Sequence, residues 1–249
     1  MLSVNELINK KRTSQKISMI TAYDFAFAKM AEMAQVDQIL VGDSLANVML
    51  GYSSTREIGM EEMLVFTKAV AKGAPHTHIV SDMPYLSDSN AKLALENAKK
   101  LIEAGAKSVK LEGAKLEVIE TLVANNIAVV GHLGLLPQTA SNFKQVGKAP
   151  QEELQILKEA ELLTKLGVFE IVLEHIPSGL GQKITQEVDA ITIGIGAGPF
   201  TDGQVLVLHD VLGMHNGKYP PFASPFKDFF SEGVQGIKEY IQSVNSTSN

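Results

Sequence analysis

Five short apolar runs in this chain each lead into ionisable side chains. Ile39-Leu40-Val41 runs to Asp43-Ser44, the run at 78–81 ends on Asp82, and the run at 128–131 ends on His132. Ser108-Val109 continues through Lys110 and Glu112, which are two apart and share one face of an extended segment. Ile171-Val172-Leu173 ends on Glu174-His175. A single carboxylate in such a place usually caps the next helix. A convergent set of Asp43, Asp82, Glu112 and Glu174 is different, because clustered carboxylates with water suit a hard cation such as Mg²⁺ or Mn²⁺.

Other chemistry-bearing residues read as structural. His76-Thr77-His78 precedes its apolar run, away from the end where the carboxylates gather, and His175 points away from Glu174 by alternation. His209-Asp210 is expected to end the last strand as a buried pair. The glycine run at 194–198 is not a dinucleotide fingerprint, because Pro199 stands where G-x-G-x-x-G requires its third glycine. Neither a Walker phosphate loop nor a G-x-S-x-G elbow is present.

The elements that must position these residues alternate along the chain. Strands are expected at 17–23, 38–42, 78–81, 108–111, 128–131, 170–173, 190–195 and 204–208. Helices are expected at 25–35, 60–72, 89–104, 115–125, 150–166, 178–187 and 231–244. Continuously apolar strands such as Ile171-Val172-Leu173 suit a parallel sheet covered by helices. The repeated alternation predicts an α/β fold, a single (β/α)8 TIM barrel over 1–249, with catalysis at the C-terminal ends of its strands. Ser3 and Glu6 form a capping-box pattern for an N-terminal helix within 1–14 that closes the bottom, and 245–249 is expected as a disordered tail. Between 195 and 204 there is no room for a crossover helix. That connection is therefore a bare turn, or the sheet is open and doubly wound.

The chain has 249 residues, 22 basic and 28 acidic side chains and no cysteine. The absence of cysteine excludes disulfides, thiolate catalysis and Cys-ligated metals. The net charge of −6 argues against a nucleic-acid partner. With no apolar stretch of about 18 residues and no signal-peptide core, neither a membrane span nor export is expected, and the location is expected to be cytoplasmic. Taken alone, the residues describe a metal-dependent barrel enzyme for a small, oxygen-rich substrate and leave the reaction type open.

The order and spacing of several motifs resemble the 3-methyl-2-oxobutanoate hydroxymethyltransferase (ketopantoate hydroxymethyltransferase) family. They are Thr21-Ala22-Tyr23-Asp24, Gly42-Asp43-Ser44, Asp82-Met83-Pro84, Lys110-Leu111-Glu112-Gly113, Gly131-His132-Leu133-Gly134-Leu135 with Pro137-Gln138, Leu173-Glu174, and Thr201-Asp202-Gly203-Gln204. The resemblance implies a TIM-barrel transferase of pantothenate biosynthesis. Such an enzyme moves the one-carbon unit of the co-substrate 5,10-methylenetetrahydrofolate to 3-methyl-2-oxobutanoate, giving 2-dehydropantoate through an enolate stabilised by Mg²⁺. It further implies Asp43, Asp82 and Glu112 as metal ligands, Asp43, Ser44, Asp82 and Lys110 as substrate contacts, Glu174 as proton acceptor, and a homo-oligomer, typically a decamer. Two readings compete with it: another metal-dependent 2-oxo acid lyase or aldolase-like barrel enzyme, and a catalytically silent oxo-acid-binding paralogue.

Overall fold

The computed structural model describes residues 2–246. Helix α1 (Val4–Arg12) opens on the expected capping box: Ser3 Oγ accepts from the Glu6 N–H while the Glu6 carboxylate accepts from the Ser3 N–H. Strand β1 (Ile17–Thr21) leads to α2 (Phe25–Met33), capped by the Asp24 carboxylate on the Phe27 N–H. Strand β2 (Gln38–Val41) is followed by the short α3 (Leu45–Val48), a 3-10 turn at Thr55–Glu57, and α4 (Met60–Gly73). Then come β3 (His78–Asp82), α5 (Ala91–Glu103), β4 (Ser108–Glu112), α6 (Leu116–Ala124) and β5 (Val129–Gly134). After a long connection come α7 (Pro150–Lys165), β6 (Glu170–Glu174), α8 (Ser178–Glu187), β7 (Ile191–Ile195) and β8 (Gly203–Leu206). The last elements are α9 (Leu208–Val211) and α10 (Phe229–Ser246).

The eight strands close in sequence order into a parallel barrel, so the open-sheet alternative falls. The tight connection between β7 and β8 is the bare turn that its length demanded. Residues 196–202 carry no helix, yet Ile193 pairs in parallel with Gly203. Two compact units divide the chain, Met1–Val205 and Leu206–Asn249. In the second, His209 and Asp210 do not end a strand. They lie in α9, and Asp210 Oδ1 is 3.1 Å from Nε2 of His215. Asn245 and Ser246 are the last residues of α10, and the remainder of the expected tail lies outside the described residues.

Strand alternation sorts the barrel unit into two cores. One parity, including Ile39, Val41, Ile79, Val109, Leu111, Ile171 and Leu173, packs outward against the helices. The other parity, including Leu40, Val80, Val130, Val172, Ile191 and Ile193, fills the barrel interior. Leu7 of α1 is fully buried in that interior cluster, so the N-terminal helix packs against the bottom of the barrel. Lys11 anchors it there through the Ala190 carbonyl and Asp202.

The interior parity continues below the apolar layer into Gln38, His78, Ser108 and Glu170, all buried. His78 bonds through Nδ1 to the Leu2 carbonyl and through Nε2 to Ser108 Oγ at 3.0 Å, which makes it structural. Burial lowers its pKa to about 4, so it is neutral.

Candidate active site

Above the apolar layer the same parity delivers the polar residues. Two residues beyond Val80 comes Asp82, two beyond Val130 comes His132, and two beyond Val172 comes Glu174. Strand β4 has Ser108, Lys110 and Glu112 on this parity. Register then sets neighbours: Asp82 lies beside Lys110, Glu112 beside His132, and Gly134 beside Glu174. Asp43 lies just past β2, where Gly42 permits the approach. A Cβ on Gly42 would come within 2.9 Å of Ser44 Oγ and 3.6 Å of Asp82 Oδ2.

These side chains form one cluster. Asp82 Oδ2 accepts from the Asp43 N–H at 2.9 Å, and Asp82 Oδ1 pairs with Lys110 Nζ at 2.9 Å. His132 Nδ1 lies 3.4 Å from Lys110 Nζ and 3.6 Å from Glu112 Oε1, while its Nε2 lies 3.2 Å from Glu174 Oε2. Ser44 Oγ is 2.8 Å from the Tyr23 hydroxyl, which burial holds above the usual phenol range. Asp43, Asp82, Lys110, Glu112 and His132 are buried, whereas the Glu174 side chain keeps 18% exposure and borders the mouth.

Charge in the cluster is lopsided, with Asp43, Asp82 and Glu112 against the single ammonium of Lys110. Burial, then Asp82, raises the Asp43 pKa, and burial raises Glu112 to about 8 against the pull of Lys110. Burial works against the charged form of Lys110, but Asp82, Asp43 and Glu112 outweigh it and hold the ammonium charged. Burial and the Lys110 charge lower His132, which is therefore neutral. Its Nδ1 faces Lys110 Nζ and its Nε2 faces Glu174.

Among the described residues, no three acidic or histidine groups already stand as a metal cage. The expected triad of Asp43, Asp82 and Glu112 is close but partly engaged. Lys110 draws Asp82, Gln138 Nε2 donates to Asp43 Oδ2 at 2.8 Å, and the Gln138 N–H donates to Glu112 Oε2 at 3.0 Å. The donor set fits Mg²⁺: it is all oxygen, buried and short of positive charge.

The structure thus gathers every expected site residue, Asp43, Ser44, Asp82, Lys110, Glu112 and Glu174, at one end of the barrel. Sequence reading gave no role to Gln138, Tyr23 or Arg56, although Gln138 stood within a quoted motif. The signal of Gln138 and Arg56 was weak, because each lies in a connection where periodicity has no force, whereas Tyr23 ends the expected first strand and stands within a quoted motif.

Comparisons with known proteins agree with this geometry. A family profile described as ketopantoate hydroxymethyltransferase matches residues 1–248. The 3-methyl-2-oxobutanoate hydroxymethyltransferase of Ignicoccus hospitalis is 43% identical over 251 residues, covering 98% of this chain and 95% of that protein. A counterpart from Thermus thermophilus is 43% identical over 248 residues, covering 97% and 94%. Among solved structures, phosphonopyruvate hydrolase in complex with oxalate and Mg²⁺ is similar at a TM-score of 0.66 and 10% identity, covering 100% of this chain and 89% of that one. A 2,3-dimethylmalate lyase of the PEP mutase/isocitrate lyase superfamily is similar at 0.63 and 12%, covering 100% and 90%. These two distant structures bear on the fold alone, whereas the family match and the relatives span nearly the whole chain. The chain belongs to the ketopantoate hydroxymethyltransferase family.

Proposed function

We propose that this protein transfers the one-carbon unit of 5,10-methylenetetrahydrofolate to C3 of 3-methyl-2-oxobutanoate, giving 2-dehydropantoate and tetrahydrofolate. The observation that carries the reading is Glu174. It is a carboxylate at the mouth, 3.2 Å from a neutral imidazole and beside a buried carboxylate–lysine cluster, in a chain of this family. Asp43, Asp82 and Glu112 would hold Mg²⁺, which when bound supplies a Lewis acid for the 2-oxo group.

The chain's own residues do the rest. Lys110, held charged, attracts the substrate carboxylate, and the Ser44 hydroxyl adds a hydrogen bond. Glu174 takes the C3 proton, leaving an enolate. Water adds to the methylene carbon of the folate and both methylene–nitrogen bonds break, the nitrogens taking up the two protons, so the one-carbon unit is released as formaldehyde. Carbon C3 then adds to the formaldehyde carbon, and the resulting alkoxide takes the proton held by Glu174 to become the new hydroxyl group. Neutral His132 keeps the C3-facing carboxylate from being tied into a charged pair. The enzyme works in the cytoplasm as a homo-oligomer, a decamer on the family resemblance, and light scattering tests that state.

Proton NMR tests the reaction. Purified protein with Mg²⁺, 3-methyl-2-oxobutanoate and the folate should form 2-dehydropantoate, with none formed when the folate is omitted. Metal-dependent cleavage of 2-oxo acids without folate would replace this reading with a lyase.

A further inference from the structure

Gln138 joins more of the site than any residue to which the sequence gave a role. It lies in the connection between β5 and α7 and is buried. Its Nε2 donates to Asp43 Oδ2 at 2.8 Å and to the Met83 carbonyl at 3.0 Å, and its backbone N–H donates to Glu112 Oε2 at 3.0 Å. Its own carbonyl accepts from Nε of the exposed Arg56 at 2.5 Å, and the Arg56 guanidinium lies 5.2 Å from the centre of the Tyr85 ring. One residue therefore ties the connection after β5 to the segments that follow β2 and β3 and to the last residue of β4.

The pattern of these bonds has a chemical meaning. Gln138 occupies one oxygen of Asp43 and one of Glu112, which leaves Asp43 Oδ1 and Glu112 Oε1 without a bond to Gln138. It does so with neutral donors, so it leaves the negative charge of the cluster intact. Carboxylates that offer one oxygen each suit a small octahedral cation, whereas Ca²⁺ takes more oxygens and favours bidentate carboxylates.

We propose that Gln138 is a positioning residue, braced by Arg56, that holds Asp43 and Glu112 in single-oxygen presentation and so selects Mg²⁺ or Mn²⁺ over Ca²⁺. The inference rests on the metal site of the proposed function and adds its selectivity.

The test uses the full-length protein and Mn²⁺, with free Mn²⁺ read by electron paramagnetic resonance and Ca²⁺ as competitor. Wild-type protein should bind Mn²⁺ and resist Ca²⁺. Gln138→Met keeps side-chain volume but frees Asp43 Oδ2. It should narrow the Mn²⁺/Ca²⁺ preference by about tenfold, the scale of one hydrogen bond to a charged group. Arg56→Ala touches no carboxylate and changes only an exposed side chain, so it should shift the preference the same way by a smaller factor, about threefold. Should Gln138→Met fail to fold by circular dichroism, Arg56→Ala decides alone. A folded Gln138→Met with an unchanged preference overturns the inference while leaving the metal site standing. So does an unchanged Arg56→Ala where that variant decides. Wild-type protein that binds no Mn²⁺ overturns the metal site itself, and the inference with it.

Discussion

Nε2 of His132 lies 3.2 Å from Oε2 of Glu174, and the ring that carries it is neutral. A protonated ring would clamp the carboxylate in an ion pair and weaken it as a base. A neutral ring leaves the carboxylate's charge available to take a proton.

Removing that charge should stop the first step. Wild-type protein with Mg²⁺ is expected to exchange the C3 hydrogen of 3-methyl-2-oxobutanoate with deuterated water before any folate is present. Glu174→Gln keeps the shape but removes the base, so exchange should slow by about 10²–10⁴, the usual contribution of a positioned general base. Substrate binding should survive. Exchange at the wild-type rate in the variant, followed by proton NMR, would move the role to another group.

Lys110 supplies the single ammonium among Asp43, Asp82 and Glu112. Lys110→Met should raise KM for the oxo acid by about tenfold or more, since a charge-assisted contact is lost. It should also lower the melting temperature, because breaking a buried pair costs about 3–5 kcal/mol. Mg²⁺ should restore part of that loss by compensating the same carboxylates. An unchanged KM would mean that Lys110 serves only the fold.

Gly134 adopts φ +95°, and a Cβ there would meet the Glu174 carbonyl at 2.3 Å. Gly134→Ala must push the end of β6, and with it the base. A displacement of about 1 Å costs on the order of 10² in rate, so kcat should fall by that factor while KM for the oxo acid moves less. If steady-state kinetics showed kcat intact, the position of Glu174 would not depend on this contact.

Glu170, in the polar layer at the closed end of the barrel, gives a stability prediction with a defined sign. Burial, opposed in part by Gln38, raises its pKa from 4.5 to about 8. Across that window the unfolded chain has released the proton and the folded chain retains it. Stability therefore falls as pH rises from about 4.5 to about 8, and the contribution is flat above. Glu170→Gln removes this dependence. The variant should gain on wild type, by melting temperature, between pH 5 and pH 8. A difference between the two proteins that stays the same at both values would contradict the raised pKa.

Much of this was legible before folding. Apolar runs fixed the strands to within a few residues, because a strand covered on both sides admits little else. Asp82, Lys110, Glu112 and Glu174 could be placed because alternation carries a known face to the strand end. Gln138 and Arg56 could not, since their partners are chosen by the path of connections, for which sequence has no period. Glu170 was passed over for a related reason: it opens an apolar run, where a carboxylate reads as the exposed start of a strand, and only barrel closure buries it. His209 and Asp210 were misplaced because β8 ends at Leu206 and the chain turns at once into α9.

The bracing of Gln138 also bears on the order in which the molecule assembles. Its bond to Asp43 spans 95 residues and its bond to Arg56 spans 82. Contacts this distant in sequence form only after long loops close. A nascent chain that has emerged as far as α6 already carries Asp43, Asp82, Lys110 and Glu112, but nothing yet fixes the carboxylate rotamers of Asp43 and Glu112. On the proposed metal reading, tight cation binding waits until β5 and the segment beyond it have docked, so a growing chain would be a poor trap for metal until its barrel wall is more than half built.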